Sequence, residues 1–497
     1  MSIEYATYVM VILAGSILAG KLLRSKWPGW GGVPLLLLVV QGTVDLGVAP
    51  LVVGLSGVQY RAVKLVTRTH GAEALRGGSL ILLCYAAIAA GLISVRSLSG
   101  RFPRDVVLVA EPQCSLYVTR RAWWASLAFF VIGSAVNCVI LALLLRGRDI
   151  SAIASERALY TDENLVASRA YFILQMLAYS MLIGALGMVL FSGGRSARAR
   201  IGVIATFLTI GITALHGGRR GVLADTLCFL LIYRHGIGRI PSRRLACYVL
   251  IFVLALGAVV YARFGDLLSR GLADVGLFEV FRLSLVGYCR VDDAAWVLRT
   301  VPDVMPHTGV LNAAGALGRF IPGLQIPGTD TLYGYVVQHF YRGESPYGGN
   351  AGANYATGAE LYSWGGWSAV VVFGYLIGLF FGIIFEWQRR SRDNPFILLL
   401  VVLISVRVFF AGAQARMPHI MPRAGIYIFF IAALAILAVP SRRVMPFVLF
   451  LGWSLVPLVI WKVLNFDCLR MFILCLVPLA YLFAVQSLRV VGTYFTR

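Results

Sequence analysis

A succession of apolar runs, each near the roughly 20 residues that span a bilayer, constrains this chain more than any other feature. The runs lie near 4–22, 33–55, 78–95, 122–145, 169–191, 201–216, 221–233, 245–262, 366–386, 396–412, 425–440, 445–461 and 471–488. With 59% hydrophobic and 13% charged residues and a mean hydropathy of +0.82, a soluble domain is excluded. The expected fold is an all-α polytopic membrane protein of about 13 transmembrane helices. One long stretch, 263–365, has no spanning run and is expected to be a large loop between an N-terminal bundle (1–262) and C-terminal helices (366–497).

A net charge of +22 in a soluble protein would point to nucleic acid. Here the basic residues bunch in short clusters between apolar runs, as cytoplasmic loops do, so nucleic-acid binding is a poor reading. Lysine occurs only at Lys21, Lys26, Lys64 and Lys462; genome composition or phosphate recognition would each explain the preference for arginine. The eight cysteines are scattered, mostly inside apolar runs, without metal-binding or disulfide spacing. The first run lacks a preceding basic region and is followed by Arg24 and Lys26, so it is expected to remain as a helix.

Placing the N-terminus outside makes seven basic loops cytoplasmic: 21–26, 96–121, 195–200, 234–244, 389–392, 442–443 and the tail with Arg489 and Arg497. Arg61, Lys64, Arg68 and Arg76, met only by Glu73, dissent and fit an amphipathic interfacial helix. Residues 263–365 then face away from the cytoplasm, where no nucleotide sugar is available. An enzyme there needs a substrate that is already activated, such as a lipid-linked diphosphate.

The sixth and seventh runs are short, about 16 and 13 residues, or roughly 24 and 20 Å against a hydrocarbon core of about 30 Å. Their connection, His216-Gly217-Gly218-Arg219-Arg220-Gly221, is expected to hold two guanidinium groups at membrane depth. Such charge marks a functional cavity, unless both side chains snorkel to headgroups. Arginine suits a diphosphate because its planar fork bonds two oxygens at once. Arg407 lies inside the tenth run, followed by Gln414 and Arg416; pairing with Asp292 or Glu360 is its structural alternative.

The 263–365 loop carries seven arginines, among them Arg282, Arg290, Arg319 and Arg342, and two histidines, His307 and His339. Helical spacing of apolar residues from Val275 to Leu298 predicts an amphipathic helix along the membrane surface, with Arg282, Arg290 and Asp293 on its polar side. Arg319 precedes the Pro322-Gly323 punctuation, which fixes the backbone in a turn. His339 sits among Tyr333, Tyr335, Phe340 and Tyr341, rings able to stack on sugars, and imidazole is well suited to take a proton from a hydroxyl. A histidine hydrogen-bonded within a folded loop is the plainer reading.

The stretch from Gly348 to Trp367 (GGNAGANYATGAELYSWGGW) ends this loop and enters the next run. It resembles the corresponding place in O-antigen and oligosaccharide repeat-unit polymerases of the Wzy type, where small residues and a threonine lead to an acidic-aromatic pair and a glycine. The Gly-Gly-Arg-Arg-Gly segment at 217–221 resembles the small-residue and arginine motif of the same families. The plan of about a dozen spans with one dominant periplasmic loop is also similar.

The resemblance implies a membrane glycosyltransferase of the type C kind, in the bacterial inner membrane with its active site facing the periplasm. It would join undecaprenyl-diphosphate-linked oligosaccharides with inversion, without metal or cofactor, with a chain-length regulator as a possible protein partner. Arg219, Arg220 and Arg319 would be catalytic through the leaving diphosphate, and His339 or Glu360 would receive the hydroxyl proton. Arg282, Arg290, Arg342, Tyr355, Arg407 and Arg416 would bind substrate. An O-antigen ligase is the nearest rival. A transporter of lipid-linked oligosaccharide is a second, although the internal repeats that would favour it are not found, and a structural scaffold a third.

Overall fold

A computed structural model of the chain describes residues 3–26, 33–48, 71–99, 116–145, 169–192, 196–215, 219–236, 291–309, 357–390, 394–410 and 417–438, with isolated positions near 250 and at 312. Among the described residues all regular structure is helical. The helices are α1 (Ile3–Lys26), α2 (Val33–Thr43, continuing in a π-helical turn Val44–Val48), α3 (Gly71–Ser99), α4 (Leu116–Leu145), α5 (Arg169–Leu190), α6 (Ser196–Leu215), α7 (Arg219–Gly236), α8 (Val291–Thr300), α9 (Thr357–Arg390), α10 (Pro395–Leu403, continuing in a π-helical stretch Ile404–Phe410) and α11 (Met417–Ala438). Three contain stretches long and apolar enough to cross a membrane: Leu75–Leu98, Arg120–Leu141 and Thr357–Glu386. Shorter apolar stretches occur in α1, α2, α5, α7, α10 and α11. The runs expected at 445–461 and 471–488, and most of 245–262, lie outside the described residues.

The chain divides into two compact units, one of residues 1–105, 260–390 and 405–423, the other of 106–259, 391–404 and 424–497. In the first, α3 and α9 form the central pair, with α8 packed on α3. Gly374, Gly378 and Gly382 recur every fourth residue of α9 and face α3. A Cβ at 374 would lie 3.0 Å from the Ala87 Cβ, one at 378 would lie 2.9 Å from the Gly91 Cα, and one at 382 would lie 3.0 Å from the Val95 Cβ. Small residues at this spacing let two helices meet backbone to backbone, which drives association where lipid removes the hydrophobic incentive. In the second unit α4 lies along α5 and α6 along both α5 and α7. The Asn394 side chain starts α10 by accepting from the N–H groups of Phe396 (3.0 Å) and Ile397 (3.3 Å).

α9 is apolar on both sides: Val370, Ile377 and Phe381 are buried, whereas Val372 and Ile383 are 54% and 62% exposed. A helix in water hides such residues, so the outward face is built for lipid.

The structure adds detail to three local expectations. The helices over the sixth and seventh runs have 20 and 18 residues, about 30 and 27 Å. They absorb flanking arginines that hydropathy assigned to loops, while the apolar stretch described within α7, Ala224–Tyr233, stays short. The expected amphipathic loop helix is described only over Val291–Thr300, a helix packed on α3 in which Val291, Ala294 and Val297 are buried; residues 275–290 lie outside the described residues. The expected span at 366–386 is preceded by helix from Thr357, inside the segment read as loop.

Candidate functional site

In the first unit the site is a helix break. α9 is interrupted at Gly365 (φ 178°, ψ 34°) and Gly366 (φ 74°, ψ −155°). Only glycine readily adopts the latter conformation. The preceding stub, Thr357 to Trp364, is buried on every side: Ala359 is 0% exposed, Glu360 1% and Ser363 0%. It fits because Gly358 has no side chain; a Cβ there would stand 3.1 Å from the Cys84 Cβ and 3.2 Å from the Leu80 carbonyl oxygen.

The stub is held from the segment that follows α8. α8 closes with the N–H groups of Val304 and Met305 donating to the Thr300 carbonyl (2.8 and 2.9 Å). Three residues after Met305, Thr308 donates both its N–H (2.8 Å) and its hydroxyl (3.2 Å) to the carbonyl of Ser363. Ser363 in turn donates its hydroxyl to the Glu360 carbonyl at 2.7 Å. The His307 ring meets the edge of Tyr362, centroids 5.8 Å apart at 66°, and Tyr362 meets Trp367 at 5.6 Å and 77°. A Cβ on Gly366 would touch the His307 Cε1 at 3.7 Å. The His307 Nδ1 is buried without a hydrogen-bond partner. Glutamate is almost never so fully enclosed without a specific role or partner, which makes Glu360 a candidate functional group.

In the second unit α6 and α7 pack together, joined by residues 216–218. Arg219 and Arg220 are the first two residues of α7 rather than members of the turn. A helix N-terminus presents unpaired N–H groups and a positive dipole, so it favours anions and disfavours arginine unless an anion is shared. Deeper in the hairpin, Asp225 is 0% exposed and accepts from the Thr213 hydroxyl at 2.9 Å, linking the two helices. Positions 219 and 220 are six and five residues from 225, outside the three- and four-residue spacing that brings side chains together.

Of the other candidates, Arg407 is half-buried in the π-helical stretch after α10, beside fully buried Val406. Arg282, Arg290, Arg319, His339, Arg342, Tyr355 and Arg416 lie outside the described residues. Among the described residues no group of three or more His, Cys, Asp or Glu is arranged to hold a metal ion. Sequence reasoning passed over His307 and Asp225. A lone acid inside an apolar run was a usable signal for Asp225, whereas nothing in the pattern singles out His307.

The lipid-ready faces and buried polar groups define an α-helical, membrane-embedded protein. Comparison with protein families, with curated proteins and with solved structures returns no match for the chain.

Proposed function

We propose that the protein is a polymerase that joins undecaprenyl-diphosphate-linked oligosaccharide repeat units at the periplasmic face of the bacterial inner membrane, through about 13 spans and a large periplasmic loop. The observation that carries this reading is the form taken by the segment with the polymerase-like motif. Thr357 to Trp367 is a helix broken at Gly365–Gly366, with Glu360 enclosed less than two turns before the break. A connecting loop has no need for a buried carboxylate or a broken helix.

In the reaction, a hydroxyl oxygen of one lipid-linked unit attacks the anomeric carbon of another chain. The bond from that carbon to the diphosphate oxygen breaks, and its electron pair leaves with undecaprenyl diphosphate. The hydroxyl proton passes to Glu360 or His339. Charge on the leaving diphosphate is the main electrostatic demand, and Arg219 and Arg220 at the start of α7, with Arg319, supply preorganised positive charge. Arg282, Arg290, Arg342, Arg407, Arg416 and Tyr355 hold the substrates.

The test is reconstitution. Purified protein supplied with an undecaprenyl-diphosphate repeat unit is expected to give a ladder of longer products, abolished by Arg220→Ala. A single product on lipid A core would make it a ligase, and no product with any lipid-linked donor would overturn the enzyme reading.

A further inference from the structure

We infer that His307 and Thr308 are positioning residues for Glu360, and that the segment carrying them is a latch that encloses this carboxylate at the break in α9. The inference rests on the polymerase reading only for its effect on turnover; the structural part stands alone.

Three observations converge on it. The stub that carries Glu360 has lost helical continuity with the rest of α9 at Gly365–Gly366, so its orientation is not set by the long helix. It must come from contacts with other elements. One is α3, through Leu80 and Cys84 at Gly358. A second, among the described residues, is the segment after α8, which places two donors of Thr308 on the Ser363 carbonyl and the His307 ring near Tyr362 and Gly366. Ser363 is three residues from Glu360, the spacing that brings helical residues onto one face, and is bonded to the Glu360 carbonyl.

The second contact is also the more readily released. Thr308 reaches the stub through hydrogen bonds, each with a small net contribution. His307 adds one edge contact while its Nδ1 lacks a partner, a condition that disfavours the closed state. With Glu360 only 1% exposed, part of its surroundings must move aside for substrate to reach it, and this segment is the weakly held neighbour of the stub.

Cysteine labelling reads this directly. In full-length protein carrying Cys228 as its only native cysteine, Glu360→Cys is expected to react slowly with a maleimide in detergent. His307→Ala or Thr308→Val, and more strongly Thr308→Pro, which removes the N–H donor, is expected to raise the rate about tenfold or more, as local opening does. Cys228, fully buried in α7 of the other unit, reports global unfolding and should stay unlabelled. If Thr308→Pro exposes Cys228, the two milder variants decide. Unchanged labelling at position 360 in both overturns the inference, whatever the enzyme does. With Glu360 in place, the same variants are expected to lower kcat several-fold while KM stays within about twofold, and Thr308→Ser is expected to restore it. A ladder made by the unaltered protein, with labelling unchanged in the variants, would leave the polymerase reading intact and sink only the latch.

Discussion

Tyr85 of α3 donates its hydroxyl to the Asp45 carboxylate at 2.6 Å, across forty residues of sequence and inside the first unit. Asp45 is 1% exposed and lies in the π-helical turn that ends α2. Such turns recur at functional or strained positions because the extra residue re-aims side chains. A buried carboxylate costs free energy in proportion to the hydrogen bonds it lacks. Tyr85→Phe removes the hydroxyl that donates to Asp45 while keeping the ring, so it is expected to destabilise the protein by about 1–3 kcal/mol. Equilibrium unfolding in mixed SDS micelles measures this; a change under a few tenths of a kcal/mol would mean that the bond contributes nothing.

The glycines of α9 and α6 make opposite predictions from the same substitution. At Gly378 a new Cβ would stand 2.9 Å from the Gly91 Cα, so Gly378→Ala forces α3 and α9 apart and is expected to cost about 1–3 kcal/mol. At Gly211, inside α6, nothing lies within 4 Å of the new Cβ. Gly211→Ala should therefore stabilise by about 0.5–1 kcal/mol through helix propensity. Measuring both in one unfolding assay makes each the control for the other.

What the sequence revealed and concealed follows from the range of the interactions. Helix positions were legible because lipid demands a continuous apolar run, and α1, α4 and α5 stand where the runs do. The four-residue repeat of Gly374, Gly378 and Gly382 was legible in principle for the same reason. The stub from Thr357 to Trp364 was not, because its threonine, glycine, alanine and glutamate make no continuous apolar run and their burial comes from tertiary packing, to which α3 contributes at Gly358 and the segment after α8 at Ser363. Hydropathy instead set the start of the span at Gly366, which is where the helix breaks. Pairings such as Tyr85 with Asp45, or Thr308 with Ser363, are tertiary and leave no local pattern.

Arg220 separates charge from geometry. If the start of α7 binds diphosphate through a planar fork, Arg220→Lys keeps the cation and loses the bidentate contact. Turnover is expected to fall about tenfold to a hundredfold for lysine, and further for alanine, because leaving-group stabilisation is often the largest catalytic term. Rates on a reconstituted lipid-linked substrate test it. Equal activity of the lysine variant and the unaltered protein would show that only the charge matters.

Glu360 gives the sharpest contrast, because its substitution separates proton transfer from packing. Glu360→Gln preserves shape inside a stub buried on all sides, so the helix break and the Ser363 hydroxyl bond to the residue 360 carbonyl should persist. What is lost is the ability to take a proton. If Glu360 takes the hydroxyl proton, general-base catalysis contributes about 10²–10⁴-fold, so kcat should fall by that range with KM little changed. Glu360→Asp keeps the carboxylate but draws it back by one methylene, and misplacement of about 1 Å costs on the order of 10²-fold. It should therefore retain measurable activity where the glutamine variant does not. Full activity in Glu360→Gln would remove this residue from the proton path and leave His339 to carry it.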